Sequence, residues 1–356
     1  MVIPKLRDRD AIVTEQGLIF RVFGYSHPAN AYICDMEYAS AEIFKSDDKR
    51  ALRSQGQHVS YKFYEDEGWK FIHKNFPQYI IFHDMLQRQV IGIHQRNSVH
   101  VRKPEQQLTK LLRFPPKDKL VRAAQDALGL VIQQSDLSKR DFGIFGSLLH
   151  GFHHPMFSDI DLVVYGRKNL TSLHESLGQL YTDGSTPLEN EFEKTDSVVR
   201  KRWKFQNYSL KEYSWHQRRK MIYALFNDKR SGRIIKVEFE PVKDWAEIES
   251  DYDKEKRIMQ EGWTRMAACG VEDSDAPFIP SVYDIEPLEI FSGPEPAIDA
   301  TRIVSYVEEF RMQVRKDEVI YVEGNLERVT DPKKSFYQVA LTYCPRYYEQ
   351  VLKTST

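Results

Sequence analysis

The chain has 356 residues, of which 41% are hydrophobic, and its formal net charge at pH 7 is −1. This length is enough for two or three domains with substantial cores, and the near-zero charge excludes any inference about charged partners from the chain as a whole. Three widely spaced cysteines exclude a disulfide framework or a thiolate zinc site, and without an apolar leader or an apolar run of ~18 residues we expect a cytoplasmic protein with no membrane contact.

Residues 1–105 have the composition of β structure and are predicted to form a β-rich N-terminal domain. The stretch AIVTEQGLIFRVFGY contains two strand-like runs around the Glu15-Gln16-Gly17 turn, a pattern typical of a hairpin. AYICDMEYA and HVSYKFY are two further strand candidates.

The middle of the chain, residues 106–270, alternates helical and strand patterns. Helices are predicted over DKLVRAAQDALGLVIQQ (118–134), over NLTSLHESLGQLY with Asn169 or Thr171 as its cap, and over most of 194–226. Strands are predicted over DFGIF (141–145), SDIDLVVYG (158–166) and RIIKVEFEPV (233–242). This order predicts a mixed sheet with helices, flanked by β-rich segments, so the fold class is α+β.

The last segment, residues 271–356, returns to β structure, with strand candidates DEVIYVEGNLERV and SFYQVAL. The GNLER stretch (324–328) and the strand after it suggest a small barrel resembling an OB-fold. Such a barrel either binds an oligonucleotide or packs on the middle domain, and we favour packing.

Two acidic residues in the middle domain carry the chemical signal. Asp159 and Asp161 are two apart in a predicted strand, so their side chains project to the same face. Neighbouring carboxylates repel, and a divalent cation relieves that repulsion; oxygen ligands favour Mg²⁺ or Mn²⁺ over zinc. The alternative is a strand edge at which both aspartates are solvated.

Gly146 and Ser147 follow the strand DFGIF and open a short helical turn. Exposed backbone N–H groups at such a turn can hold a phosphate, and glycine lets the phosphate approach the backbone. A phosphate cradle beside paired aspartates predicts metal-assisted phosphoryl or nucleotidyl transfer.

Gly146-Ser147, eleven further residues and then Asp159-Ile160-Asp161-Leu162 resemble the signature of the polymerase-beta-like nucleotidyltransferase superfamily. Gly151 and Ser158 also match positions of that signature, and the preceding helix and strand follow the family's order. The pattern departs at Leu148-Leu149, where many small members carry an arginine. The resemblance covers roughly residues 118–245, and the layout is similar to that of archaeal predicted nucleotidyltransferases.

The resemblance implies a third carboxylate on a neighbouring strand. KVEFEPV is similar to the VDVVP-like strand of archaeal CCA-adding enzymes, in which the acid lies three residues before the proline, and this maps to Glu238. Glu240 is the alternative. By the same resemblance, Asp159, Asp161 and Glu238 would hold Mg²⁺ or Mn²⁺.

The triphosphate of ATP or another NTP would then lie against Gly146 and Ser147, with Ser158 nearby. These assignments are also implied by the resemblance, and they make the NTP the expected substrate.

A basic segment offers a site for the acceptor. Residues 194–236 contain thirteen Lys or Arg against three Asp or Glu, interleaved with aromatic residues. On a helix, Lys211, Trp215, Arg218 and Arg219 share one broad face, as basic and aromatic groups do in single-strand binding sites. The alternative is that the aromatic residues are core and the charges are an ordinary solvated face. We favour a nucleic-acid acceptor, an RNA or DNA end.

Three histidines, His150, His153 and His154, lie between the serine and the aspartates. A zinc site there has no cysteine to support it, so we interpret them as flexible loop residues near the nucleotide. Two other functions remain open: nucleotidyl transfer to a small molecule or a protein hydroxyl, and a non-catalytic nucleotide- or nucleic-acid-binding module. The acceptor, the base preference and the oligomeric state do not follow from the sequence.

Overall fold

The computed structural model describes residues 5–55, 58–97, 100–193, 205–342 and 346–354. The chain divides into two compact units, each gathered from separate stretches of sequence. The first unit consists of Met1–Phe82, Gln89–Glu189 and Ala224–Asp251, and the second of His83–Arg88, Asn190–Tyr223 and Tyr252–Thr356. No helix within the described ranges is both long and apolar enough to cross a membrane.

The first unit begins with a sheet of antiparallel neighbours, which we call the N-terminal sheet. Its strands are β1 (Ala11–Val13), β2 (Ile19–Val22), β3 (Ala31–Ser40), β4 (Leu52–Gln55), β5 (His58–Lys62), β6 (Ile80–His83), β7 (Arg88–His94) and β8 (His100–Arg102). They are ordered β4-β5-β3-β2-β1-β8, with β7 on β3 and β6 on β7. Helix α1 (Glu67–Asn75) packs against β3.

The hairpin predicted at Glu15-Gln16-Gly17 is confirmed. Strands β1 and β2 pair with Ala11 opposite Arg21, and Gly17 adopts the left-handed φ of +76° that the turn requires. Strand β3 contains a bulge, because Ile19 pairs with Tyr38 and Phe20 pairs with Met36, which leaves Glu37 between them. A β-bulge changes the direction of nearby side chains, and this one affects the site described below.

The first unit continues through the central sheet and its helices. The helices are α2 (Pro104–Arg113), α3 (Lys119–Gln133), α4 (Gly146–His150) and α5 (Arg167–Thr182). The strands are β9 (Phe142–Ile144), β10 (Ile160–Tyr165), β11 (Leu188–Asn190), β12 (Tyr223–Asp228) and β13 (Arg233–Val242). They are ordered β11-β12-β13-β10-β9, with β10 parallel to β13 and antiparallel to β9, so the sheet is mixed as predicted.

Two local predictions in this region are wrong. Helix α5 begins at Arg167 with Gly166 as its cap, whereas Asn169 and Thr171 lie inside its first turns and donate hydrogen bonds to carbonyls four residues earlier.

The helix predicted over 194–226 is limited, in the described residues, to α6 (Leu210–Arg219), and β12 follows it. The residues of β12 alternate between half-buried and buried at its start, a period-2 pattern that the basic and aromatic composition concealed. Residues 194–204 lie outside the described part of the chain.

The second unit is built on β14 (Arg257–Glu272), β15 (Ser281–Ser292), β16 (Ala300–Ser305), β17 (Val319–Thr330), β18 (Ser335–Leu341) and β19 (Val351–Thr354). The order is β14-β15-β16-β18-β17-β19, and β14 also pairs with β17, so the first five strands close on themselves. Strands β16 and β18 are parallel, and a core that includes Met266, Tyr283 and Leu326 lies among the strands. The likeness to an OB-fold stays a prediction.

The described residues also contain single 3-10 turns at Pro77–Tyr79, Gln95–Asn97, Lys139–Asp141, Trp245–Glu247, Glu295–Asp299, Glu308–Phe310 and Tyr347–Glu349. The predicted domain boundary at 105 falls inside α2 and the one at 270 falls inside β14. The division into three domains stays a prediction, and the chain's own compact units are the two given above.

Candidate active site

The turn between β9 and α4 brings backbone and carboxylate into contact. Gly146 has a φ of +59°, and a Cβ added to it would lie 2.1 Å from Oδ2 of Asp161. Only glycine therefore lets the carboxyl group of Asp161 approach this backbone so closely. The amide of Phe145 also donates to the carbonyl of Asp161 at 2.8 Å, and the buried Ser147 follows in α4. The helix ends after one turn at Gly151, which is left-handed with a φ of +78°.

The acidic residues come together through the pairing of β10 with β13. In this parallel register Asp161 lies opposite Glu238, and Val163 lies opposite Glu240. Asp159 precedes the first residue of β10. Burial and the negative charges of Glu238 and Asp159 raise the pKa of Asp161 to about 7. The carboxylates therefore form a cluster with an excess of negative charge.

The two candidates for the third acid have different surroundings. Glu240 is 6% exposed, and its Oε2 lies 2.7 Å from Nη2 of Arg9 in a buried ion pair. Glu238 is half-buried and forms an ion pair with Lys236, two residues earlier on the same strand. The carboxylate of Glu240 is thus paired with Arg9 of the N-terminal segment, whereas Glu238 lies beside Asp161 in the strand register.

The residues implied to bind a metal provide oxygen donors. Within the described ranges no group of three or more His, Cys, Asp or Glu side chains is arranged so that it could already hold a metal ion. The raised pKa of Asp161 nevertheless reflects burial and, after it, repulsion by Glu238 and Asp159 that a cation would relieve, and carboxylate oxygens suit Mg²⁺ or Mn²⁺. The charge and donor chemistry therefore fit a divalent cation, and Lys236 competes with it for Glu238.

His150 is a buried structural residue, which corrects the prediction of a flexible loop. Because the guanidinium of Arg102 can only donate, its 3.0 Å contact requires Nδ1 of His150 to accept, so the proton lies on Nε2, 3.6 Å from Glu37. Burial lowers the pKa of His150, which favours this neutral form. Its ring packs against Tyr38 and Phe152, at centroid distances of 5.3 and 5.1 Å. The bulge in β3 explains why Glu37 and Tyr38 both reach this histidine.

The other two histidines have separate surroundings. Nε2 of His153 lies 2.8 Å from Asp118, the residue that also caps α3, and His153 is 7% exposed. His154 packs on the ring of Phe157, which is 79% exposed. The three histidines therefore do not share a site, and the structure gives no support to zinc.

Ser158, predicted to contact the nucleotide, contributes to the loop itself. Its hydroxyl accepts from the amide of His154 at 2.9 Å. Arg233 donates to the carbonyl of Pro155 at 2.7 Å and to that of Ser158 at 3.3 Å. These bonds fix the loop that leads into Asp159.

The predicted acceptor residues lie on α6, in the second unit. Lys211, Trp215 and Arg218 are exposed, with Trp215 at 39%. Arg219 differs, because it forms an ion pair with Glu318 and its guanidinium lies 4.6 Å from the ring centre of Trp215. Helix α6 therefore has an exposed basic and aromatic face. Arg219 packs beside Trp215 on that face, but its charge is already paired with Glu318.

Two other aromatic residues of the basic segment belong to the core. Phe205 and Tyr208 are buried within the second unit's apolar cluster, as the alternative interpretation predicts. Trp203 lies outside the described residues. Arg218 lies 3.6 Å from Glu193, an exposed pair of the kind that contributes little to stability.

Sequence reasoning missed the contribution of the N-terminal sheet to this site. Glu37 and Tyr38 contact His150 of α4, and Arg9 pairs with Glu240 of β13. Each contact joins residues more than 100 positions apart. Asp8 and Arg9 are adjacent charged residues in a segment that is buried. Because buried charges need partners, this pair was the one sequence feature that could have indicated the contact.

Comparisons with known proteins give one relative and one family match. The chain is 24% identical over 337 residues to the uncharacterized protein MJ1086 of Methanocaldococcus jannaschii, a match that covers 94% of each chain. No solved structure matches the chain. Residues 131–243, which contain α4, β10 and β13, match the family model described as a nucleotidyltransferase domain. The chain therefore contains a nucleotidyltransferase domain of the polymerase-beta-like kind at residues 131–243.

Proposed function

We propose that the protein is a metal-dependent nucleotidyltransferase that transfers NMP from an NTP to a hydroxyl acceptor and releases pyrophosphate. The observation that carries the proposal is the register of β10 and β13, which sets Glu238 opposite Asp161 above the close backbone of Gly146. The family match supports nucleotidyl transfer in general.

In this proposal Asp159, Asp161 and Glu238 hold Mg²⁺ or Mn²⁺. The bound cation supplies Lewis acidity at the α-phosphate and lowers the pKa of the attacking hydroxyl. Glu238, half-buried beside Asp161, favours removal of the hydroxyl proton. The hydroxyl oxygen then bonds to the α-phosphorus, and the bond from that phosphorus to the oxygen bridging to the β-phosphate breaks.

Gly146 and Ser147 have the role of a phosphate cradle. The positive φ of Gly146 and its missing side chain let the carboxylate of Asp161 lie against the backbone at the start of α4. Ser158 acts by shaping the loop before Asp159, given its hydrogen bond from His154.

The acceptor we propose is a nucleic-acid end, RNA or DNA. Exposed Lys211, Trp215 and Arg218 on α6 support it, because a nucleic acid needs cations for phosphates and an open ring for a base. The burial of Phe205 and Tyr208 favours the second candidate, transfer to a small molecule or a protein hydroxyl, since it leaves fewer rings for stacking.

The test is incubation of the full-length protein with each α-labelled NTP and mixed cellular RNA, in Mg²⁺ or Mn²⁺. Labelled RNA, with loss of labelling in Asp161→Asn, is the expected result. Labelled protein or a small labelled product, with no labelled RNA, would select the second candidate. No metal-dependent transfer to any acceptor would leave a nucleotide-binding module.

A further inference from the structure

The nucleotidyltransferase domain itself offers no free cation from α4. The family-signature positions that many small members fill with arginine are Leu148 and Leu149 here, and these side chains are 1% and 3% exposed. They are part of the core, so the helix beside the phosphate cradle presents no positive charge from them. A bound triphosphate needs cations from another element.

The basic residues on β13 already have partners. Lys236 is paired with Glu238, and Arg233 donates to the carbonyls of Pro155 and Ser158. Either could reorganise on binding, but each would have to break an existing contact.

The N-terminal sheet carries two cations on the face that packs against α4. Lys62 lies directly opposite Tyr38 in the pairing of β5 with β3, so the two side chains share a face. Arg53 lies opposite Ser60, two residues before Lys62, so it belongs to the same face. That face contacts the catalytic region, because the ring of Tyr38 lies 5.3 Å from that of His150 and 4.8 Å from that of Phe152.

The charge interactions of the neighbouring groups relate Lys62 to Asp161 directly, and Arg53 to Tyr38, a side chain that Asp161 also affects. Burial, Glu238 and Asp159 raise the pKa of Asp161, and Lys62 acts in the opposite direction. Burial and Glu37 raise the pKa of Tyr38, Arg53 lowers it, and Asp161 raises it further.

Both cations have hydrogen-bonding capacity left. In the described part of the chain, no carboxylate lies within 4.0 Å of the Lys62 ammonium, which is half-exposed. Nη1 of Arg53 donates to the carbonyls of Arg50 and Leu52, while its buried Nε has no acceptor among the described residues. Backbone carbonyls thus hold the guanidinium of Arg53 in place, and some of its N–H groups can still donate hydrogen bonds to a ligand.

We propose that Lys62 and Arg53 bind the β- and γ-phosphates of the NTP, so that the N-terminal sheet supplies the cations that α4 lacks. The inference rests on the proposed function and deepens it. When the bond to the α-phosphorus breaks, the bonding electrons remain on the pyrophosphate, and the two cations stabilise that growing charge. They also distinguish an NTP from its NMP, which has no phosphate to reach them.

Direct binding to the full-length protein tests the inference without relying on turnover. The probes are the α,β-methylene analogue of the NTP that binds best, the matching NMP, and inorganic pyrophosphate, each titrated calorimetrically with Mg²⁺. The variants are Lys62→Gln, Arg53→Gln and the rescue variant Lys62→Arg. Lys70→Gln is the matched control, since Lys70 is an exposed lysine of α1 that pairs only with Asp66 in the described residues.

We expect Lys62→Gln to raise the Kd of the analogue and of pyrophosphate about tenfold, as for loss of one charged hydrogen bond, and to leave that of NMP within about twofold. Lys62→Arg should recover most of the affinity, and Lys70→Gln should resemble the wild type. If the wild type binds and transfers an NTP but Lys62→Gln retains wild-type affinities, the inference fails and the proposed function stands. If the wild type binds neither the analogue nor pyrophosphate, both fail. Lys62→Met, which keeps the apolar stem, replaces Lys62→Gln if the latter has a lowered Tm.

Discussion

Arg9 and Glu240 form a buried ion pair at 2.7 Å, with side chains 3% and 7% exposed, and Glu240 lies two residues after Glu238, the partner of Asp161 in the strand register. Two glutamates on the same face of β13 thus have different surroundings. Glu240 is paired with Arg9 in the protein interior, and Glu238 is half-buried beside Asp161.

The first prediction separates the two glutamates. Glu240→Gln removes one partner of a buried pair, so it should lower the free energy of unfolding by about 3 kcal/mol. Glu238→Gln should change stability by less than about 1 kcal/mol but reduce kcat about 10²–10⁴-fold. Denaturant unfolding and steady-state kinetics measure both. The opposite ranking would identify Glu240 as the third acid.

The second prediction concerns the contact between Gly146 and Asp161. Gly146→Ala places a Cβ 2.1 Å from Oδ2 at a φ of +59°, so both the backbone and the carboxylate must move. We expect loss of metal-dependent NTP binding and a lower Tm. Gly129→Ala is the control, because nothing lies within 4 Å of its added Cβ in α3, and it should stabilise the helix by about 0.5–1 kcal/mol. Normal NTP binding by Gly146→Ala would show that the close approach is not needed.

The third prediction concerns pH. The pKa of Asp161 is about 7 in the folded state, above its ordinary value of 3.8, so the folded protein keeps a proton that the unfolded chain releases. Its contribution to stability is therefore present below about pH 4 and is lost as pH rises from 4 to 7. Asp161→Asn removes this loss, so its Tm relative to wild type should increase from pH 5 to pH 8, by roughly 2–4 °C for each kcal/mol of relieved repulsion.

Thermal melts of the metal-free protein at several pH values measure this difference. Mn²⁺ should stabilise the wild type more at pH 8 than at pH 6, because it competes with the same proton. A Tm difference between Asp161→Asn and wild type that does not vary with pH would exclude the raised pKa.

The fourth prediction concerns Lys236, which occupies the carboxylate of Glu238. Lys236→Met removes a competing cation, so Mn²⁺ should bind up to about fivefold more tightly, in line with a partly exposed ion pair of about 1 kcal/mol or less. Titration of free Mn²⁺ by electron paramagnetic resonance gives the affinity, with Lys70→Met as control. Weaker Mn²⁺ binding in Lys236→Met would mean that this lysine supports the site instead of competing for it.

The fifth prediction tests the nucleic-acid acceptor. Lys211→Glu with Arg218→Glu should weaken oligonucleotide binding and flatten its salt dependence by about two phosphate contacts, and Trp215→Ala should cost about 1–3 kcal/mol if a base stacks there. We choose Lys211 and Arg218 and leave Arg219 unchanged, because Arg219 forms an ion pair with Glu318. A charge reversal at Arg219 would disturb the second unit. NTP binding should be unchanged in both the double variant and Trp215→Ala. If neither the double charge reversal nor Trp215→Ala changes the affinity for an oligonucleotide, a small-molecule or protein acceptor is favoured.

The local parts of the site could be predicted from the sequence. The Gly146-Ser147 turn, the paired aspartates and the strand of Glu238 each depend on residues close together in sequence, and their periodicity is visible. Strand β12 was missed because charge and aromatic content suggested a helix, although alternation of burial governs a strand.

The contacts of the N-terminal sheet could not be predicted in the same way. They depend on a bulge at Glu37 and on pairing between residues distant in sequence, and neither has a local pattern. His150 illustrates the point, because its place between two motif elements suggested a flexible loop residue, whereas it is buried against Arg102 and Glu37.

The order in which the chain supplies the first unit has a consequence for biosynthesis. Strand β13 begins at Arg233, after the stretch Asn190–Tyr223 that belongs to the second unit. A nascent chain that has just exposed Asp161 therefore lacks the strand that covers one edge of β10, and the acidic cluster is incomplete until residues beyond 242 have emerged. A fragment ending before 233 would expose that edge, a template for aggregation. Expression of truncated forms should accordingly give soluble protein only when β13 is included.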